Sequence, residues 1–179
     1  LHLWGLPCSD RNFATNLAAL GNCIRIAEQH EIGLSVEPIY CSSRSPLSNF
    51  YDIHREYPSV GITLDLRILG YHDEIRKLYQ TEWIWEKELR HFHMTDYAGP
   101  AYNMNGGTHP GHGEIDFDRL FGFLADRKFI GSFTMEAASL DGDGRIQIQR
   151  LNESLDFVSC RVEELDRTVC GAPERFDVG

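Results

Sequence analysis

The sequence predicts an α/β protein in which parallel strands alternate with helices. Short apolar segments rich in β-branched residues are separated by longer segments whose apolar residues recur at three- and four-residue steps, the spacing of one helix face. The strands lie too far apart in the chain for hairpins, so crossovers must join them and they must run parallel. Because the strands are almost continuously apolar, we expect helices to cover the sheet.

Five segments are predicted as strands. The first, residues 1–6, is short and apolar and is closed by Pro7. The other four are apolar runs that each carry an acid or a histidine toward the C-terminal end. They cover residues 34–40, 60–66, 89–95 and 129–137.

Five segments are predicted as helices. A Ser-rich loop at 41–49 precedes the second of them, and the third contributes Trp83 and Trp85 to packing. The fourth is amphipathic and begins with an acidic cap, Asp116. The helices cover residues 12–29, a short stretch ending at 57, then 72–89, 116–128 and 148–165.

Length and charge limit the class of partner. The 179 residues suffice for one domain, which we place at 1–170 with a tail at 171–179. The formal charge is −10 and no long Lys/Arg cluster occurs, which argues against a nucleic-acid partner whose phosphates would need neutralising. A neutral or metal-chelated substrate fits this charge better.

Cysteine usage and hydropathy indicate the compartment. The five cysteines form no CxxC pair, and an odd count cannot close completely into intrachain bridges, so a reducing cytoplasm is the simpler location. No apolar run reaches the roughly 18 to 20 residues of a membrane span, and no signal peptide is recognisable. We therefore expect a soluble cytoplasmic protein without a membrane partner.

Three acids, Glu37, Asp65 and Glu136, occur toward the ends of three apolar strands. Any one of them could be an edge residue, a helix N-cap or half of a buried ion pair. In a parallel barrel, however, the strand ends converge on one mouth, where active sites lie. Like charges gathered there repel, so a cation is the natural solution.

A histidine completes this set. His91 and His93 lie on the same side of their strand, because side chains alternate with period two. We predict that His93, nearer the strand end, joins Glu37, Asp65 and Glu136, while His91 is a core residue or lies next to the ligands. Three carboxylates and one imidazole favour Mn²⁺ or Mg²⁺, with Co²⁺ or Zn²⁺ as further options.

The segment after that strand has a second group of polar residues. His109 and His112 belong to a Pro-Gly turn and are interpreted either as solvated loop residues or as substrate contacts. The sequence DGDG at 141–144 is too short for a full calcium loop and is predicted to be a tight turn.

An ordered set of motifs resembles a known superfamily. The motifs are SVEP at 35–38, GITLDL at 61–66, HFHMTD at 91–96, HPGHGEIDF at 109–117 and FTMEA at 133–137. Together they resemble the sugar phosphate isomerase/epimerase superfamily, the xylose-isomerase-like TIM barrels. The resemblance implies a (β/α)8 fold and a divalent metal on the four residues named above.

The resemblance also implies a reaction. In the epimerases of that group, the metal holds a carbonyl and its neighbouring hydroxyl, and two glutamates exchange a proton with the enediolate. Carried over to this chain, Glu37 and Glu136 would be the acid and base, and the substrate would be a small carbohydrate.

Two departures from the family pattern concern the substrate. Ile68 stands where the family often has a histidine, and no arginine occurs between His93 and Gly113. The substrate contacts predicted instead are Arg67, His91, Asn103, His109 and His112.

Length is a further departure. A full barrel takes about 250 residues, so the five predicted strands amount to a partial barrel that lacks the first three βα units. Three explanations stay open: a fragment, a barrel completed by a partner or a second copy, and a degenerate relative. The alternative functions are a non-catalytic partial-barrel subunit and a phosphodiester-cleaving repair nuclease of the same superfamily.

Overall fold

Four parallel strands form the centre of the structure. The computed structural model describes residues 10–37, 44–86, 89–99, 108–137 and 140–170. Within them the strands pair in chain order, each with the next, which confirms the predicted parallel α/β arrangement. The strands are β1 (Ser35–Val36), β2 (Gly61–Asp65), β3 (Leu89–Met94) and β4 (Ser132–Met135).

Helices connect and cover these strands. Within the described residues none is both long and apolar enough to cross a membrane. The helices are α1 (Asp10–Gln29), α2 (Pro46–Glu56), α3 (Leu66–Tyr71), α4 (Ile75–Leu78), α5 (Glu82–Glu86), α6 (Phe117–Asp126) and α7 (Ile148–Cys170).

The two faces of the sheet differ in polarity. Because successive side chains alternate, Leu64 and Phe92 point into the apolar core beneath the helices. On the other face the strand register places Thr63 beside His91, and His91 beside Ser132. A row of polar side chains therefore crosses the face opposite the helices.

The core has two parts. The larger part joins the helix-facing side of β2 and β3 to α2, α3, α6 and α7, with Phe50, Phe92 and Leu120 almost completely buried. The smaller part packs α1 against β1 through Leu20, Ile24 and Val36, together with Ile53 and Val60. Strand β4 is covered less than β2, since Ser132 and Thr134 are exposed.

Two sequence-based predictions, the loop at 41–49 and the helix at 72–89, are wrong. The predicted loop at 41–49 ends early, because Ser45 caps α2 and Pro46 begins it. The predicted single helix at 72–89 is instead two short helices, α4 and α5. A further helix that was not predicted, α3, precedes them and starts directly after β2. Asp73 has a positive φ of 53° and lies between the end of α3 and the start of α4.

Other boundaries shift without changing the arrangement. The strand predicted at 129–137 is shorter than expected, because only β4 (Ser132–Met135) forms there. The helix predicted at 148–165 is longer than expected, because α7 extends to Cys170. Asp116 caps α6 by accepting a hydrogen bond from the Arg119 N–H at 2.9 Å, as predicted. The predicted strand at 1–6 and the tail at 171–179 lie outside the described residues.

Candidate metal centre

The four residues predicted as metal ligands converge at the C-terminal ends of the strands. One potential ligand atom from each of them lies within 4.8 Å of the others. Glu37 follows β1, Asp65 ends β2, His93 lies in β3 and Glu136 follows β4. The cluster thus draws two side chains from β2 and β3 and two from the residues directly after β1 and β4.

Asp65 is held in place by its surroundings. Its Oδ1 accepts hydrogen bonds from the backbone N–H groups of Arg67 and Ile68, at 2.8 and 3.2 Å, and so caps α3. The Thr95 hydroxyl donates to the same oxygen at 2.8 Å. The Arg67 guanidinium lies 3.1 Å from Oδ2. Asp65 is only 1% exposed, so its carboxylate is fixed before any ligand binds.

The imidazole of His93 lies between two glutamates. Its Nδ1 is 3.0 Å from Oε1 of Glu37 and 3.5 Å from Oε2 of Glu136. Burial is the strongest single influence and opposes the charged imidazole, but the hydrogen bond with Glu37 and the surrounding carboxylates outweigh it. The pKa of His93 therefore lies above its ordinary value.

His91 precedes His93 by two residues, so both side chains lie on the same face of β3. Its Nδ1 is 2.7 Å from the Ser132 hydroxyl, and its ring meets that of His93 edge to face. Burial, followed by the neighbouring His93, lowers the pKa of His91 below its ordinary value. His91 thus bonds across the sheet to β4, in the row next to the cluster.

The two histidines of the Pro-Gly turn have different environments. His109 is 2% exposed, so its interpretation as a solvated loop residue is wrong. Its Nδ1 lies 2.7 Å from the Ser154 hydroxyl, which itself donates to the Arg150 carbonyl at 2.9 Å. These two contacts tie His109 to the first turns of α7. His112 is exposed and lines a groove at the start of α7.

Arg67 and Asn103 were also predicted to contact the substrate. Arg67 is beside the cluster, where it pairs with Asp65. Asn103 lies outside the described residues.

Thr95, which donates to Asp65, was not predicted from the sequence. It continues the alternation of His91 and His93, and this spacing could have placed it on the same face of the strand.

The chemistry of the cluster fits a divalent cation. Glu37, Asp65 and His93 are each less than 10% exposed, and the side chain of Glu136 is 38% exposed. Three carboxylates brought this close repel one another unless a cation lies between them. Carboxylate oxygens with one imidazole suit Mn²⁺ or Mg²⁺, and they also accept Zn²⁺.

Two solved structures with the same fold are sugar epimerases by name. A 3-keto-D-glucoside 4-epimerase from E. coli is 19% identical, with a TM-score of 0.62 over 87% of this chain and 57% of that one. A D-allulose 3-epimerase from Methylomonas sp. is 18% identical, with a TM-score of 0.61 over 88% of this chain and 58% of that one.

A third solved structure contains a metal. The IOLI protein with a bound zinc atom is 17% identical, with a TM-score of 0.64 over 92% of this chain and 60% of that one. The present chain thus spans less than two thirds of the length of these proteins. A search of curated protein sequences found no match.

Family membership rests on the sequence. The model of the xylose isomerase-like TIM barrel family matches residues 2–158. The chain belongs to that family, and the described strands form part of such a barrel.

Proposed function

We propose that this xylose isomerase-like chain carries the metal centre of a divalent-metal-dependent isomerase or epimerase. Its substrate would be a small sugar or a polyol-like carbonyl compound. The observation that carries the proposal is the convergence of four potential ligand atoms within 4.8 Å of one another, at the C-terminal ends of four neighbouring strands. The sugar epimerases of the same fold support the substrate class.

The protein's own groups suit proton transfer next to a carbonyl. Glu136 is partly exposed, so it can reach a substrate carbon, whereas Glu37 is buried and bonded to His93. In the proposed reaction one glutamate removes the proton next to the carbonyl, and the other returns a proton to the resulting enediolate. A divalent ion, when bound, would hold the carbonyl and the neighbouring hydroxyl and offset the negative charge.

Mn²⁺ or Mg²⁺ is the proposed ion, because most of the ligands are hard oxygens. Zn²⁺ is the alternative, supported by the zinc in the IOLI protein and by the single imidazole of His93. Competition between these ions in binding assays would decide which one is preferred.

Solvent deuterium exchange tests the reaction class. The Mn²⁺-loaded protein is incubated in D2O with a panel of ketoses and aldoses, and NMR detects deuterium at the carbon next to the carbonyl. We expect incorporation by the wild type and about a 100-fold or greater loss in E37Q and in E136Q.

Glu164, an exposed acid on α7, provides the matched control. E164Q removes the same charge from a residue outside the proposed metal cluster and should retain the wild-type rate. If the Mn²⁺-loaded wild type labels no sugar in the panel, the proposed reaction is wrong.

A further inference from the structure

A buried carboxylate outside the metal cluster organises the Pro-Gly turn. Asp96 follows β3 and is 1% exposed. Its Oδ1 accepts hydrogen bonds from the N–H groups of Tyr97 and Ile115, at 2.8 and 3.1 Å. Its Oδ2 accepts from Gly111 and Gly113, at 3.0 and 2.8 Å. Three of these four donors belong to the turn at 108–115, which therefore folds around a single carboxylate.

The glycines of this turn permit that close approach. A Cβ at Gly113 would overlap Oδ1 of Asp96 and the carbonyl oxygen of Tyr97. Gly111 has a φ of 85°, in the left-handed region that favours glycine. The backbone also pairs Asp96 with Thr108 in an antiparallel bridge, with N···O distances of 2.8 and 3.3 Å. The Gly-x-Gly sequence and Asp96 are therefore parts of one structure.

The same strand end serves both the turn and the metal cluster. His93 belongs to the cluster, Thr95 orients Asp65, and Asp96 holds the turn. The next residue, Tyr97, accepts a hydrogen bond from the Glu114 N–H at 2.7 Å. The turn is therefore bonded to Asp96 and Tyr97, which follow the proposed ligand His93 by three and four residues.

We infer that Asp96 is a positioning residue that holds the turn at 108–115 as a wall of the substrate site. The inference rests on the proposed function. Asp96 acts through the backbone of the turn and leaves metal binding to the cluster. An ionised carboxylate presents only acceptors, whereas an asparagine amide would turn its NH2 group toward two of the four N–H donors. D96N should therefore loosen the turn with little change in side-chain volume.

Three measurements on D96N test the inference. Hydrogen exchange of the Gly111, Gly113 and Ile115 amides should be at least ten times faster than in the wild type. Mn²⁺ affinity, measured by titration, should stay within threefold. The KM for the ketose that the wild type labels most rapidly should rise at least tenfold, with a smaller change in kcat.

D116N is the matched control, because Asp116 is an exposed acid in the same region and asparagine also caps helices. It should leave all three measurements close to the wild-type values. The wild type provides a test that does not depend on the folding of D96N. Its Gly111, Gly113 and Ile115 amides should exchange at least ten times more slowly than that of Gly142, in an exposed turn.

Several results would overturn the inference. They are unprotected turn amides in the wild type, unchanged exchange in D96N, a collapse of Mn²⁺ affinity in D96N, or faster exchange with an unchanged KM. If the wild type binds Mn²⁺ but incorporates deuterium into no sugar, the proposed function is wrong. The proposal that the turn at 108–115 forms a wall of the substrate site is then wrong as well. The exchange data would then still show separately whether Asp96 orders the turn.

Discussion

Thr95 donates its hydroxyl proton to Oδ1 of Asp65 over 2.8 Å, so the end of β3 orients an acid that belongs to β2. Both residues are almost completely buried. Groups that hold a metal ligand in this way tune the affinity of the metal without touching it. The hydroxyl of Thr95 is therefore predicted to matter for metal binding as well as for folding.

T95V should weaken Mn²⁺ binding by about 10- to 100-fold, because Asp65 loses a donor that fixes its carboxylate. The matched control is T63V, since Thr63 is a buried threonine on the same face that donates to Ser35 at 3.0 Å. Each variant should lower the free energy of unfolding by about 1 kcal/mol, but only T95V should lose Mn²⁺ affinity in a calorimetric titration. Equal affinities in the two variants would contradict the role given to Thr95.

Two helical glycines should respond in opposite directions to alanine. A Cβ at Gly70 in α3 would lie 2.7 Å from Cβ and Cγ of Tyr97, whereas a Cβ at Gly122 in α6 would meet nothing within 4 Å. G70A should lower the free energy of unfolding by about 1–3 kcal/mol through overpacking. G122A should raise it by up to about 1 kcal/mol through helix propensity. Urea unfolding measures both, and a stabilised G70A would show that Tyr97 does not pack on α3 as described.

A long-range cap should contribute measurably to stability. Glu74 is 2% exposed, and its Oε2 accepts a hydrogen bond from the Leu47 N–H at 2.9 Å, at the start of α2. E74A should lower the free energy of unfolding by about 1–2 kcal/mol, because the helix loses both the acceptor and the favourable charge at its N-terminus. Mn²⁺ affinity should not change.

E82A is the control variant for E74A, because Glu82 is an exposed acid and Glu74 is a buried one. Glu82 pairs with Arg127 at 2.6 Å on the surface. E82A should leave the melting temperature within experimental error, because exposed ion pairs contribute little. If E74A also leaves the melting temperature unchanged, the cap on α2 is not formed in solution.

The sequence predicted the sheet and the cluster for the same reason. Almost continuously apolar strands, with acids and histidines near their ends, indicate both a parallel sheet and the edge where those side chains meet. The sequence alone was therefore sufficient to group Glu37, Asp65, His93 and Glu136. Their role as metal ligands stays a prediction.

What the sequence could not predict depends on contacts between distant segments. The region 72–89 was predicted as one helix, but it contains the two short helices α4 and α5. The helix before it, α3, was not predicted, because its start depends on the cap that Asp65 forms at the end of β2. His109 is buried because it bonds to Ser154, which lies 45 residues away in the chain. The role of Asp96 likewise requires the turn at 108–115 to fold back onto the end of β3.

Metal stoichiometry tests the central claim most directly. The wild type and E136Q are dialysed against Mn²⁺ and analysed for bound metal, with circular dichroism to check that both are folded. The predicted result is one ion per wild-type chain, and binding weaker by about an order of magnitude or more in E136Q, which loses one of the four ligands. A folded wild type that binds none of Mn²⁺, Mg²⁺, Co²⁺ and Zn²⁺ would contradict the account.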